Sequence, residues 1–287
     1  MATNVVVARR RLAQGVRRYR QRSGLTIEEL ARGLECSAAK VSRMETGISG
    51  IRIQDLAAIV SLVEVDEAER RDLEELVRQA RGREWWQEYM DLFPAGSATF
   101  FGLEDGATSI RVHSTSVVPG LLQTPDYASA LFGAVRGARA EAWDRRVALR
   151  LRRQRLLDRE RPPLLTVLLD EAVLHRVIGG PEVMAGQWDH ILRRVETPGV
   201  AVRVIPFTAP AHGAEGVAFT VFGFDDQDLG PVAYAERLGM PRFIEEPTEV
   251  EIYVAGLGGA ERVAAAPEAS RELIAAFAAR SRSAGPA

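Results

Sequence analysis

Lys40 and Arg43 stand three residues apart in Ser37-Ala38-Ala39-Lys40-Val41-Ser42-Arg43-Met44-Glu45. On a helix that spacing puts two cationic hydrogen-bond donors on one face. Such donors suit base-edge acceptors and phosphate oxygens. Val41 and Met44 repeat at i, i+3 and point inward, which leaves Ala39, Lys40, Ser42 and Arg43 outside. Ser37 caps the start of this helix and Gly47 ends it. Ahead of it, Thr26-Ile27-Glu28-Glu29 fits a capping box, the threonine oxygen on one free N–H and Glu29 reaching back. Leu30, Ala31 and Leu34 form the inner face of that preceding helix, and Glu35-Cys36 is the turn between the two. Two helices joined by a tight turn, the second displaying small and cationic side chains, have the geometry that enters a major groove of duplex DNA.

Three more helices complete this region. The first runs from about Val7 to Ser23, with Leu12, Val16 and Tyr19 at helical spacing, and Gly24 stops it. A fourth spans Ile53 to Leu62. Asp66 caps a fifth, which reaches Arg81 and carries the connection onward. Residues 1–63 hold eleven basic side chains and five acidic ones, an excess of six, whereas the whole chain is at −2. The remainder is therefore at −8. A basic head on an acidic body is the asymmetry expected when one part faces phosphate and the other does not.

The 287 residues, 46% hydrophobic and 26% charged, suit one large globular domain or two ordinary ones. No apolar run approaches the roughly 18 residues needed to cross a bilayer. Met1 to Arg11 has no signal-peptide core, so a cytoplasmic location is expected and no membrane partner. The lone Cys36 allows no internal disulfide and reads as a small buried side chain. His113, His175, His190 and His212 are too scattered to suggest a metal site, and no cofactor is expected. Lys40 is the only lysine among 37 basic residues. Walker, Gly-x-Ser-x-Gly and His-Glu-x-x-His motifs are all missing, and the chain is not expected to be an enzyme.

Beyond residue 82 the pattern changes. Glu84-Trp85-Trp86-Gln87-Glu88-Tyr89 is an aromatic cluster that should anchor the linker helix. Ser109 to Val118 reads as a strand or a helix end, and Tyr127 to Phe132 as a helix. Glu141 to Arg161 reads as one long, arginine-rich helix, whose charges should pair with an acidic partner or with the rest of this acidic domain. Leu164–Leu169, Val200–Ile205, Val217–Phe224 and Pro231–Ala235 read as strands. Glu171–Val177, Pro181–Val195 and Pro267–Arg280 read as helices, and Glu249 to Gly256 begins another. The expected architecture is a multidomain chain: an all-α helix-turn-helix head over 1–82, a mixed α/β (α+β) domain over 83–280 and a loose tail over 281–287.

Leu12…Arg17, Gly24-Leu25-Thr26…Glu29-Leu30-Ala31, Ser37…Val41-Ser42-Arg43-Met44-Glu45…Gly47 and Leu56…Ile59 together resemble the lambda-repressor-like, Xre-type helix-turn-helix family, over residues 8–62. The resemblance implies base contacts from Ala38, Ala39, Lys40, Ser42 and Arg43. The alanines could touch only a thymine methyl, while Lys40 and Arg43 best suit guanine O6 and N7. The family often has glutamine where Ile27 stands, so one usual contact is missing. Arg17, Arg22 and Thr26 are then phosphate contacts. The family usually binds double-stranded DNA as a homodimer on half-sites about 34 Å apart.

A second resemblance rests on Val118-Pro119-Gly120-Leu121-Leu122-Gln123-Thr124-Pro125…Tyr127-Ala128, Arg146…Arg153-Gln154, Leu169-Asp170-Glu171, Met184…Gln187, Val204-Ile205-Pro206…His212…Phe219 and Tyr234…Glu236. These are similar to a domain of unknown function attached to Xre-type heads in actinobacterial, antitoxin-type or developmental regulators, often encoded beside a small partner protein. The resemblance implies a small protein partner or a small-molecule effector. Trp85, Trp86, Gln123, Arg153, Glu171 and Glu236 are the candidate positions for it. Finally, Arg111, Ser114-Thr115-Ser116 and Glu236 are similar to the arginine, Ser-Thr-Ser and glutamate set of ADP-ribosyltransferases. Arg111, however, lies only three residues before the serines, where that family has a separate strand.

Overall fold

The computed structural model describes residues 4–47, 49–82, 84–94, 96–134, 140–226, 229–237 and 240–284. They divide into two compact units.

The first unit takes in the described residues up to Gln87, with Ala98–Gly106 and Asp225–Gly230. It is all-α: α1 (Val5–Arg22), α2 (Ile27–Gly33), α3 (Ala38–Glu45), α4 (Ile53–Val60), α5 (Glu67–Gln79) and most of α6 (Ser97–Gly106). Leu12, Val16 and Tyr19 of α1 meet Leu30, Val41, Met44, Leu56, Ile59 and Leu73 in one core. Burial of this apolar stripe, at about 25 cal/mol per Å², is what makes five short helices stable. α1 starts at Val5, because the Asn4 side chain accepts from the Val6 and Val7 N–H groups. Gly24, at φ 70°, allows the sharp turn into α2. Cys36 lies in the turn after α2, half-buried and packed against the core.

The second unit holds a six-stranded sheet in the order β3-β2-β1-β4-β5-β6. Its strands are β1 (Ser109–Ser114), β2 (Leu164–Asp170), β3 (Val200–Ile205), β4 (Phe219–Gly223), β5 (Val232–Arg237) and β6 (Met240–Ile244). β1, β2 and β3 run parallel, and β4, β5 and β6 are antiparallel additions. The domain is α+β, not a parallel βαβ repeat. Its helices are α7 (Pro125–Gly133), α8 (Ala140–Gln154), α9 (Glu171–His175), α10 (Pro181–Arg194), α11 (Pro247–Val263) and α12 (Pro267–Ser283). α11 lays Val250, Leu257 and Ala260 on Phe219, Val221 and Ala233. Gly259 is required there, since a Cβ would run into the His212 carbonyl oxygen.

Several expectations need correcting. The arginine-rich segment is not one helix: α8 ends at Gln154, and a 3-10 turn, Arg155–Asp158, follows. Leu156 and Leu157 are both buried there, and Pro162-Pro163 forbids a longer helix. β6 is a strand beyond those expected: Pro241 lies inside it, and an edge strand tolerates that loss of a donor. α12 continues to Ser283, so residues 281–283 are helical and not loose.

Candidate nucleic-acid interface

The capping box at α2 is made: Thr26 Oγ1 accepts the Glu29 N–H at 3.1 Å, and Glu29 accepts the Thr26 N–H at 2.8 Å. After α2, Glu35 adopts φ 49°, a left-handed conformation that costs a non-glycine residue energy. That turn redirects the chain, and Ser37 Oγ, accepting the Lys40 N–H at 3.2 Å, starts α3. Val41 and Met44, at 1% and 2% exposure, fix the rotation of α3 on the core. Ala39, Ser42 and Arg43 are consequently exposed, with Ala38 and Lys40 half-buried beside them. Small side chains let a backbone come close, and Arg43 has no ion pair among the described residues. Lys40 is tethered: its Nζ lies 2.9 Å from Asp55 Oδ1 on α4. Burial opposes the Asp55 charge, but the bonds from Lys40 and the Arg52 N–H hold its carboxyl below the usual value.

The flanking cations differ in availability. Arg17 is exposed on α1. Thr26 is exposed, its hydroxyl engaged with Glu29. Arg22 grips Glu69 through both terminal nitrogens, at 2.7 Å each, and also reaches the Glu64 carbonyl. Arg20 is buried and grips Glu45 of α3 at 2.6 and 3.0 Å, with the Leu25 carbonyl at 2.6 Å. Arg10 is buried too. Two cations of the basic head thus belong to its interior. Spacing gave no sign of this, since Arg20 and Glu45 are 25 residues apart.

The other candidate positions divide into anchors and scaffold. Trp86 is 2% exposed and meets Trp85 edge-on at 5.5 Å, and Trp85 Nε1 donates to Asp105 at 3.1 Å. Gln123, 1% exposed, donates to the Val118 carbonyl at 2.7 Å and accepts from Arg150 at 2.8 Å. Gln154 donates to the carbonyls of Gly120 and Gln123. Gln187 accepts the Thr124 N–H at 2.8 Å and donates to the Leu122 carbonyl at 2.7 Å. Three buried amides therefore knit the Pro119–Thr124 turn. Tyr127 adds a fourth link, its hydroxyl accepting the Val118 N–H. Glu171 accepts the Phe207 N–H at 2.8 Å and lies 3.3 Å from His175. Glu236 accepts from the Tyr234 hydroxyl at 3.0 Å. Burial, with the Glu236 charge beside it, pushes that phenol above its usual value, and Arg153 opposes the shift.

The charges of α8 are largely spent within the unit. Arg145 grips Asp91 at 2.6 and 2.9 Å, Arg152 pairs with Glu88, and Arg146 donates to the Leu92 carbonyl at 2.8 Å. Arg111, Ser114 and Glu236 do not converge. Arg111 shares the α11 face of the sheet and pairs with Glu261 at 2.9 Å. Strand alternation puts Ser114 and Glu236 on the opposite face. The loop between β3 and β4 does bring His212 to His113 of β1, their rings 5.6 Å apart. His113 is bonded through Nδ1 to the Val217 carbonyl at 2.7 Å, and burial pushes its imidazolium below the usual value. Among the described residues no group of three or more His, Cys, Asp or Glu stands together as a metal site. No described helix is long and apolar enough to cross a membrane.

A family model described as a helix-turn-helix domain matches residues 11–73, and one described as a domain of unknown function (DUF5753) matches residues 97–276. The chain belongs to the DUF5753 family. No curated protein and no solved structure matches it. The DUF5753 span contains the whole sheet and the Pro119–Thr124 turn, while the helix-turn-helix span contains α2, α3 and the Lys40–Asp55 pair.

Proposed function

We propose that this DUF5753 protein is a sequence-specific, DNA-binding transcriptional regulator of the Xre type, working in the cytosol. The observation that carries the reading is the exposed face of α3: Ala39, Ser42 and Arg43, with Lys40 beside them, on a helix locked from behind by Val41 and Met44. The alanines admit a close approach to thymine methyls, and Lys40 and Arg43 supply donors for guanine. Arg17 and Thr26 take phosphates. One head buries too little surface for tight binding, so the protein acts as a dimer on a palindromic operator. The DUF5753 unit receives a small protein partner or effector and has no catalytic role. That Arg111 and Ser114 lie on opposite faces of β1 supports the non-enzymatic reading.

The test is sequencing of genomic fragments retained by the purified protein, with a Lys40→Ala/Arg43→Ala double variant as control, at fixed physiological salt. Enrichment of a palindromic site that the double variant loses is the expected result. Equal retention of all fragments by both proteins would overturn sequence-specific readout by α3.

A further inference from the structure

At the carboxyl ends of β2 and β3, four side chains form an open ladder. Phe207 stacks on the His175 ring at 5.4 Å and 29°. His175 meets Phe277 edge-on at 4.8 Å. Arg280 lies over Phe277 at 4.9 Å. Phe207 is 62% exposed, and Val177, two residues beyond His175, is 64% exposed. A single exposed apolar residue calls for no explanation, but this group is held in place. Glu171 accepts the Phe207 N–H with one oxygen and lies against His175 with the other. The carboxyl ends of parallel strands in an open sheet are also where such folds place their ligands.

We propose that the Phe207–His175–Phe277 ladder docks an acidic segment of a protein partner, one that carries an aromatic side chain. This rests on the reading that the DUF5753 unit receives a partner, and it names the place and the chemistry. Phe207 has one ring face against His175, and the rest of its surface is open for offset stacking. Two cations accompany the ladder: Arg280 lies over Phe277, and Arg176 follows His175 in the chain; both are exposed and have no ion pair among the described residues. Glu171, the carboxylate of the ladder, is already engaged. A second copy of this chain docked across a two-fold axis would bring arginine against arginine. An aromatic anchor flanked by Asp or Glu satisfies both the ring and the cations.

The experiment pans a random-peptide library on the full-length protein, on Phe207→Ala and on Arg176→Glu/Arg280→Glu. All three are also tested for retention of genomic DNA and for sedimentation. The expected peptides carry Trp, Tyr or Phe among Asp and Glu. Synthetic versions should lose about tenfold in affinity on either variant, with melting and DNA retention unchanged. Peptides bound equally by Phe207→Ala would overturn the ladder as the site, while the partner reading survives elsewhere on the unit. No enrichment on any of the three proteins would overturn both. A dimer that Phe207→Ala turns into a monomer would give this face to a second copy and overturn the proposal. So would Phe207-dependent binding of a single-stranded oligonucleotide in place of peptide.

Discussion

Lys40 of α3 and Asp55 of α4 lie 2.9 Å apart, so the chain's only lysine stands beside the exposed face of α3 already bonded to a carboxylate. Asp55 is itself fixed by the Arg52 N–H, which it accepts at 3.3 Å at the start of α4. The pair steers Lys40 and also sets a negative charge beside the place where phosphates would pass. Asp55→Asn should remove that repulsion and free the amine for phosphate. Affinity for any duplex then rises several-fold, and the log–log salt slope steepens by about 0.9. Lys40→Ala should instead cost about 1–3 kcal/mol on the preferred site. Anisotropy titrations over a salt series measure both effects. An unchanged slope in Asp55→Asn would mean that Lys40 stays where it is without its partner.

The Arg20–Glu45 pair predicts a large loss of stability. Its side chains are only 10% and 4% exposed, and it ties α1 to α3. Hydrogen bonding to Glu45 raises the Arg20 pKa despite burial, so the guanidinium is charged at any working pH. Glu45→Ala should cost about 3–5 kcal/mol, because it strands a buried cation. Arg20→Met/Glu45→Leu should recover most of that loss. Hydrogen exchange of the α1 and α3 amides is the suitable measurement, since a chain of two units need not unfold in one step. A double variant no more stable than the single would show that the pair contributes more than it costs to bury.

Arg22 and Glu69 link the end of α1 to the start of α5, and they predict an acid-sensitive head. Hydrogen bonds from Arg22 and the Asp66 backbone hold the Glu69 carboxyl at about 2, against an ordinary 4.5. A depressed carboxyl favours folding fully above its unfolded value, and that contribution fades as pH falls from 4.5 towards 2. The pair is solvent-exposed and screened, so the effect is modest and shrinks in high salt. Melting midpoints across that window should fall less steeply for Glu69→Gln, which can still cap α5. Identical slopes would leave Glu69 without a part in the acid limb.

The head was legible because its signals are local. Thr26 with Glu29, Ser37, Gly24 and the Val41/Met44 pair each act within one turn of helix, and the structure bears each one out. What escaped is long-range. Nothing in the spacing of Arg20 and Glu45, or of His113 and His212, says that folding will bring them together. Charge counting likewise assigns Arg10 and Arg20 to the surface, whereas packing puts them inside. In the second unit the strands with continuous apolar runs, β2 and β3, were read within a residue. β6 was lost to a proline, and the end of α8 to charges that look helical. Of the candidate partner positions, Gln123 proved to be a buried structural amide, and Glu171 proved to brace an aromatic ladder that no local pattern announced.

The amides around the Pro119–Thr124 turn give the last prediction. Gln187 is fully buried and satisfies two backbone groups of that turn, the Thr124 N–H and the Leu122 carbonyl. An unpaired buried group costs about 1–3 kcal/mol, so Gln187→Ala should destabilise the turn by more than one such loss. Gln187→Glu separates the two contributions. A carboxylate still accepts from Thr124 but cannot donate to Leu122, and burial of its charge adds a further cost that protonation at low pH relieves. Exchange of the Leu122, Gln123 and Thr124 amides should therefore quicken most in the alanine variant, with the glutamate variant moving towards wild type as pH falls. Unchanged protection in Gln187→Ala would mean that Gln123, Gln154 and Tyr127 hold the turn without it.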